Sequence, residues 1–168
     1  HAYTADAITR AVSQGVRTIE HGNLIDEKSA KLMKAKGAYL VANLVAYYAM
    51  QERAQKFGMT AESLAKNEMV LAGGLRSLEI CQRHGVPVAY GSDLLGELHW
   101  DQSREFSLRR QAVSPIEILR SATTIPAQIL RLDGQVGTLM LGAWADLLLV
   151  DGNPLKDLTL LEDQGRHL

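Results

Sequence analysis

Gly85-Val86-Pro87-Val88-Ala89-Tyr90-Gly91-Ser92-Asp93 is a short apolar run set between a glycine that stops a helix and a turn that ends on a carboxylate. A run of this length bounded by turn residues reads as a buried strand, Val86 to Tyr90. Gly91 turns the backbone without a Cβ penalty and leaves Asp93 at the carboxyl end of that strand. In a parallel sheet flanked by helices, ligands and chemistry collect at those ends. Val16-Arg17-Thr18-Ile19-Glu20-His21-Gly22 has the same layout, with Gly15 ahead of it and a polar pair closed by Gly22. Two strands that deliver Asp93 and His21 to one rim are compatible with a metal site and with a plain polar rim. Imidazole and carboxylate together suit zinc or a similar divalent ion.

The stretches around these strands read as helices. Residues 4–14 have Thr4 as an N-cap, Asp6 in the first turn, and Ile8, Ala11 and Val12 on one face. This pattern begins so early that no strand is expected ahead of it. Asp26 caps a helix over 27–36, Gly37 stops it, and Ala38 to Leu44 forms the second strand. Residues 45–60 read either as a short helix or as a loop over the rim. A long helix over 61–84 follows, with Gly73-Gly74 inside it. Each glycine there costs about 1 kcal/mol relative to Ala, so close packing or a kink is expected. Strand, helix, strand, helix, strand is the signature of an α/β fold with a parallel sheet.

After Asp93 the sequence predicts a loop, Leu94 to Trp100, and a helix near 101–112. Ser114-Pro115-Ile116-Glu117 combines an N-cap, a Pro at the first helical position and a Glu three residues after the cap. Pro126 opens a further short helix ending near Asp133-Gly134. Val136 to Leu139 and Ala145 to Pro154 read as two short strands, joined by a Gly142 turn, that lack a sheet of their own.

Composition excludes several classes of function. The 18 basic and 19 acidic residues are mixed along the chain, which leaves no basic stripe for nucleic acid or a membrane surface. One cysteine, Cys81, excludes an internal disulfide and a Cys-based zinc site, and its place on an apolar helix face marks a buried, inert thiol. Of the five histidines, His84 reads as structural at a helix C-terminus, and His167 stands in the tail. His99, just beyond Asp93, reads equally as a substrate-pocket residue or as a surface loop residue. His1 is a third metal ligand if a strand ends on it. The chain opens without an initiator Met, so it is expected to be a piece of a longer protein, with a cytoplasmic location favoured.

Taken together, His1-Ala2, Gly15-Val16-x-Thr18-Ile19-Glu20-His21-Gly22 and Gly85-Val86-x-Val88-x-x-Gly91-Ser92-Asp93-Leu94-Leu95-Gly96-Glu97 resemble the amidohydrolase superfamily. The likeness is to its imidazolonepropionase-like and Xaa-Pro dipeptidase (prolidase)-like branch. Ser121-Ala122-Thr123-x-x-Pro126-Ala127, Gly137-x-Leu139-x-x-Gly142-x-x-Ala145-Asp146-Leu147 and Gly152-Asn153-Pro154-Leu155 extend it along nearly the whole chain.

The resemblance implies the C-terminal part of a (β/α)8 TIM barrel, strands six to eight with their helices, over residues 1–133. Residues 134–168 would be C-terminal strands of a small composite β-sandwich, with Asp146 structural. His1, His21 and Asp93 would end strands five, six and eight and bind one or two divalent metals, zinc favoured, that activate water. Asp93 would also shuttle the proton to the leaving nitrogen. Tyr47 would meet a substrate carboxylate. The family's paired His-x-His after strand one and its carboxylated Lys of strand four are not among these residues.

The expected function is hydrolysis of a C–N amide bond in a dipeptide or an N-acyl amino acid, with an imidazolonepropionase-like cyclic amide as the alternative. A further alternative is a catalytically silent scaffold lacking the N-terminal metal ligands. The isolated 168-residue chain is expected to be inactive, and a homo-oligomer is the expected assembly.

Overall fold

Four short strands, β1 (Ala2–Thr4), β2 (Thr18–Leu24), β3 (Tyr39–Ala42) and β4 (Val88–Tyr90), form a parallel sheet in the order β1-β2-β3-β4. Sheet order equals chain order, so each connection carries the chain one strand over. Helices make those connections: α1 (Ala5–Ser13), α2 (Glu27–Lys36), and then α3 (Leu44–Glu52) with α4 (Ala61–His84). A computed structural model supplies these coordinates and describes residues 1–162, so His167 lies outside the described residues.

Local chemistry sets the helix ends. The Thr4 hydroxyl accepts from the Ala7 amide at 3.3 Å, as expected of an N-cap. Asp26 and Ser29 cap α2 reciprocally, and the Ser29 hydrogen bonds hold the Asp26 carboxyl below its ordinary value. Gly37 and Gly85 close α2 and α4 in the left-handed conformation. The core joins Ile19, Leu40 and Ala42 of the sheet to Ile8 and Val12 of α1, Met33 of α2, and Leu78 and Cys81 of α4. Burial raises the Cys81 thiol to about 12, so it stays protonated and inert as expected.

The glycine pair in α4 marks close packing. A Cβ on Gly73 would fall 2.5 Å from the Asn23 carbonyl oxygen, whereas one on Gly74 would meet the movable Leu44 Cδ2 at 2.5 Å. Alanine at a helix interior gains about 1 kcal/mol over glycine, but overpacking costs about 1–3 kcal/mol. Backbone cannot step aside as a side-chain end can. Gly73→Ala is therefore expected to lower stability by roughly 1–2 kcal/mol, and Gly74→Ala by less. Urea unfolding of both variants measures the difference.

Several expectations differ from the structure. A strand does precede the first helix: β1 pairs Ala2 with His21, and His1 is the residue just ahead of it. Three residues carry no periodicity, and their pairing partner alone defines them. β2 begins later than Val16 and continues through Gly22 to Leu24, because β1 extends the ladder past His21. β3 stops at Ala42 because the chain enters α3 at Leu44, which settles residues 45–60 as a helix followed by turns. Beyond β4, a 3₁₀ segment (Gly96–Arg104) and a short α5 (Glu105–Arg109) replace the single helix expected at 101–112.

The capping box expected at α6 (Pro115–Ala122) does not form. Ser114 makes no side-chain cap, and Glu117 pairs with Arg120 at 2.6 Å instead. Pro126 is the third residue of α7 (Thr124–Leu130) rather than its first, still within the turn where a missing N–H costs nothing. Residues 136–139 and 145–154 form turns and irregular chain instead of strands. Leu139, Leu141, Leu148 and Leu149 stay exposed there, as apolar segments do without a sheet to join.

Candidate active site

The register decides what the strand ends present. Glu20 of β2 lies beside Val41 of β3, and Ala42 of β3 lies beside Tyr90 of β4. His21 therefore follows the last residue that β2 pairs with β3, and Asn43 and the turn Gly91-Ser92-Asp93 follow β3 and β4, so all of them lie at one end of the sheet. His21 and Asn43 are buried, while the Asp93 side chain is half exposed.

Backbone conformation singles out two of these residues. His21 (φ 78°) and Asp93 (φ 50°) lie in the left-handed region, which among the described residues holds only one other non-glycine, Arg131. His and Asp enter this region more readily than most side chains, yet each such residue still costs about 1–2 kcal/mol. Gly22, at φ 63°, could not be replaced easily, because its Cβ would fall 2.3 Å from Leu40 Cδ1. Strain of this kind collects at functional sites, where the surrounding structure over-determines the backbone.

His21 is the hub of the contacts. Its Nε2 faces Nδ1 of His1 at 2.8 Å, and the Tyr3 ring stacks on the imidazole at 4.5 Å between centroids, 7° from parallel. Its Nδ1 is 2.9 Å from the Tyr47 hydroxyl, 3.0 Å from Asn43 Nδ2, 3.3 Å from Asn43 Oδ1 and 3.9 Å from Asp93 Oδ2. The Tyr47 hydroxyl donates to the Tyr3 hydroxyl at 3.1 Å. Its oxygen is then left to accept from His21 Nδ1–H, and the Asn43 amide shares that proton when turned so that its oxygen takes the 3.0 Å position of Nδ2. This tautomer is inferred from the network, and it leaves the Nε2 lone pair directed at His1. Burial, reinforced by the Tyr3 hydrogen bond, raises the Tyr47 phenol far above its ordinary value and keeps it protonated.

Adjacent nitrogen ligands of a tetrahedral zinc ion lie about 3.3 Å apart, given Zn–N lengths near 2.0–2.1 Å. The His1–His21 nitrogen pair, at 2.8 Å, fits two positions of such a shell after a small separation. Asp93 stands near the other ring nitrogen of His21, so His1 and Asp93 do not converge on a single point. Consistent with this, no group of three His, Cys, Asp or Glu side chains among the described residues is disposed to hold a metal ion.

The expected site residues thus divide. His1, His21, Asp93 and Tyr47 come together at one end of the sheet. His99 does not join them: it is exposed on the 3₁₀ segment, 3.5 Å from Gln102 Nε2. His84 bonds Glu27 on α2, which supports its structural reading. Sequence reading missed Asn43 and Tyr3. Asn43 had a signal, because like His21 it is the polar residue that directly follows an apolar strand run.

The chain belongs to the amidohydrolase family, whose model matches residues 1–167. It is similar to a prolidase solved in complex with N-methylphosphonate-L-proline, at 51% identity and TM-score 0.94 over 99% of this chain and 41% of that one. A Xaa-Pro dipeptidase with methionine bound in its active site is 30% identical, with TM-score 0.86 over 96% of this chain and 40% of that one. Ochratoxinase of Aspergillus niger is 26% identical over 97% of this chain and 34% of its own length. The chain thus spans well under half the length of these relatives. Among the described residues no helix is long and apolar enough to cross a membrane.

Proposed function

We propose that this chain supplies part of the active site of a metal-dependent amidohydrolase that cleaves the C–N bond of a dipeptide or an N-acyl amino acid. The observation that carries the reading is the convergence of His1, His21, Tyr47 and Asp93 at one end of a parallel sheet, with His21 and Asp93 on strained backbone. The prolidase and Xaa-Pro dipeptidase relatives favour a dipeptide. The sheet is read as the C-terminal part of a (β/α)8 TIM barrel over residues 1–133, with β2, β3 and β4 as strands six, seven and eight. Residues 134–168 are assigned to a small β-sandwich, which the uncovered leucines at 139–149 support.

His1 Nδ1 and His21 Nε2 are the atoms assigned to hold a divalent ion, with zinc favoured, while Asp93, beside the other ring nitrogen of His21, is assigned the proton transfer. Such an ion, when bound, polarises the scissile carbonyl and acidifies water. Asp93 accepts the proton of the attacking water and returns it to the departing nitrogen as the C–N bond breaks. The Tyr47 phenol, kept protonated by burial, donates to the substrate carboxylate.

The test uses the full-length protein with Xaa-Pro dipeptides and N-acetyl amino acids, following release of the free amine. Turnover of at least one class is expected, abolished by dialysis against a chelator and restored by zinc. Turnover that survives the chelator would remove the metal from the reading. No amine release from either class would remove the reading itself.

A further inference from the structure

Asn43 occupies the N-cap position of α3, yet its side chain makes no cap hydrogen bond. An Asn at this position ordinarily accepts from the second or third helical N–H, and leaving that donor unpaired costs stability. Here the Asn43 amide turns instead to His21 Nδ1. The N–H it would have capped, that of Val45, donates to Glu105 Oε2 at 2.7 Å, and the same carboxylate also receives the Leu44 N–H. Glu105 comes from α5, sixty residues further along the chain. A carboxylate in this place also complements the positive end of the helix dipole.

Glu105 is fully buried and is held by Arg109, itself 1% exposed, whose Nε donates to Oε1 at 2.7 Å. Burial pushes the Glu105 carboxyl up, while Arg109 and the α3 amides draw it back. Arg109 Nη2 donates to the carbonyls of Ala42 at 2.6 Å and Ala89 at 3.1 Å, and Nη1 donates to Ser121 Oγ at 3.1 Å. The pair therefore grips the chain on both sides of Asn43, at Ala42 O and Val45 N, and ties the end of β3 to that of β4. A buried ion pair is weak evidence for stability, since apolar residues of like volume often serve as well. Its contacts to the backbone around Asn43 give it a role other than packing.

We propose that Glu105 and Arg109 are a positioning pair: Glu105 caps α3 in place of Asn43, freeing Asn43 to fix the ring and tautomer of His21. This rests on the reading of His21 as a metal ligand. Partners that orient a ligating imidazole are worth about 10–100-fold in metal affinity.

The experiment compares four forms of the full-length protein: wild type, Asn43→Ala, the paired change Glu105→Leu/Arg109→Leu, and the combination of all three. Zinc affinity is read by chelator competition, the His21 ring nitrogens by NMR of the metal-free protein, and folding by thermal melting. The paired leucine change removes the cap without stranding a charge. It is expected to keep a near wild-type melting temperature, to weaken zinc about 10–100-fold, and to shift the His21 Nδ1 resonance as Asn43→Ala does. Added to Asn43→Ala, it should weaken zinc by less than about twofold, because both changes act through one contact.

Glu105→Gln is the opposite case. It keeps an acceptor for Val45 N–H but strands Arg109, so it should lower the melting temperature while leaving zinc affinity near wild type. Multiplying losses in the combined variant, or an unmoved His21 resonance in the paired variant, would overturn the proposal, and Glu105→Gln decides if the leucine pair fails to fold. A wild-type protein that binds no zinc would defeat the ligand reading alone. The His21 resonances would still judge the positioning role.

Discussion

Asp93→Asn is expected to lower kcat of the full-length enzyme by about 10²–10⁴-fold, with KM little changed, because general acid–base assistance is worth that range. The substitution is a clean one in this structure. Asp93 sits at φ 50°, a conformation Asn accepts as readily, and its half-exposed side chain lies 3.9 Å from His21 Nδ1 without direct hydrogen bonding to it. The melting temperature should therefore hold. Asparagine keeps the shape and one oxygen of the carboxylate but accepts no proton at neutral pH. The loss thus belongs to turnover, and residual activity should lack an acidic limb in its pH profile. A near-normal kcat with KM raised would instead make Asp93 a substrate-binding residue.

His21→Ala is expected to lower metal affinity by more than the 10–100-fold that loss of a supporting partner costs, since it removes the ligand itself. Elemental analysis of purified protein measures this directly. His84→Ala serves as the matched control, because His84 faces Glu27 on the surface and should leave the metal content unchanged. His21→Asn separates two causes. Asn tolerates the φ of 78° that makes Ala strained there, so equal metal loss in both variants points to the missing nitrogen rather than to backbone relaxation. Equal occupancy in His21→Ala and His84→Ala would remove His21 from the ligand set.

Much of this frame was legible because it is locally encoded. Thr4, Asp26, Gly37 and Gly85 announce their helix ends through caps and left-handed turns, and the structure uses each as expected. The strand runs before His21 and Asp93 were legible for the same reason. β1 was not, since a three-residue strand exists only through its pairing with β2. Asn43 was hidden in a longer expected strand, and nothing local says that its capping duty passes to Glu105. Glu105 and Arg109, four apart on a helix, look in sequence like an ordinary surface pair. Their burial depends on α5 packing against α3, which no local pattern reports. The segments at 136–150 show the converse failure: strand-like composition without a partner strand gives irregular chain.

The two left-handed residues at the rim bear on how such a protein can change. Glycine at the half-exposed position 93 would release backbone strain, whereas at position 21 it would forfeit the buried contacts of His21, so a screen that rewards heat resistance alone is drawn toward position 93, where chemistry is lost. A library built for robustness has to hold that codon fixed. The room for improvement lies elsewhere, in the helices and turns that carry no such conflict.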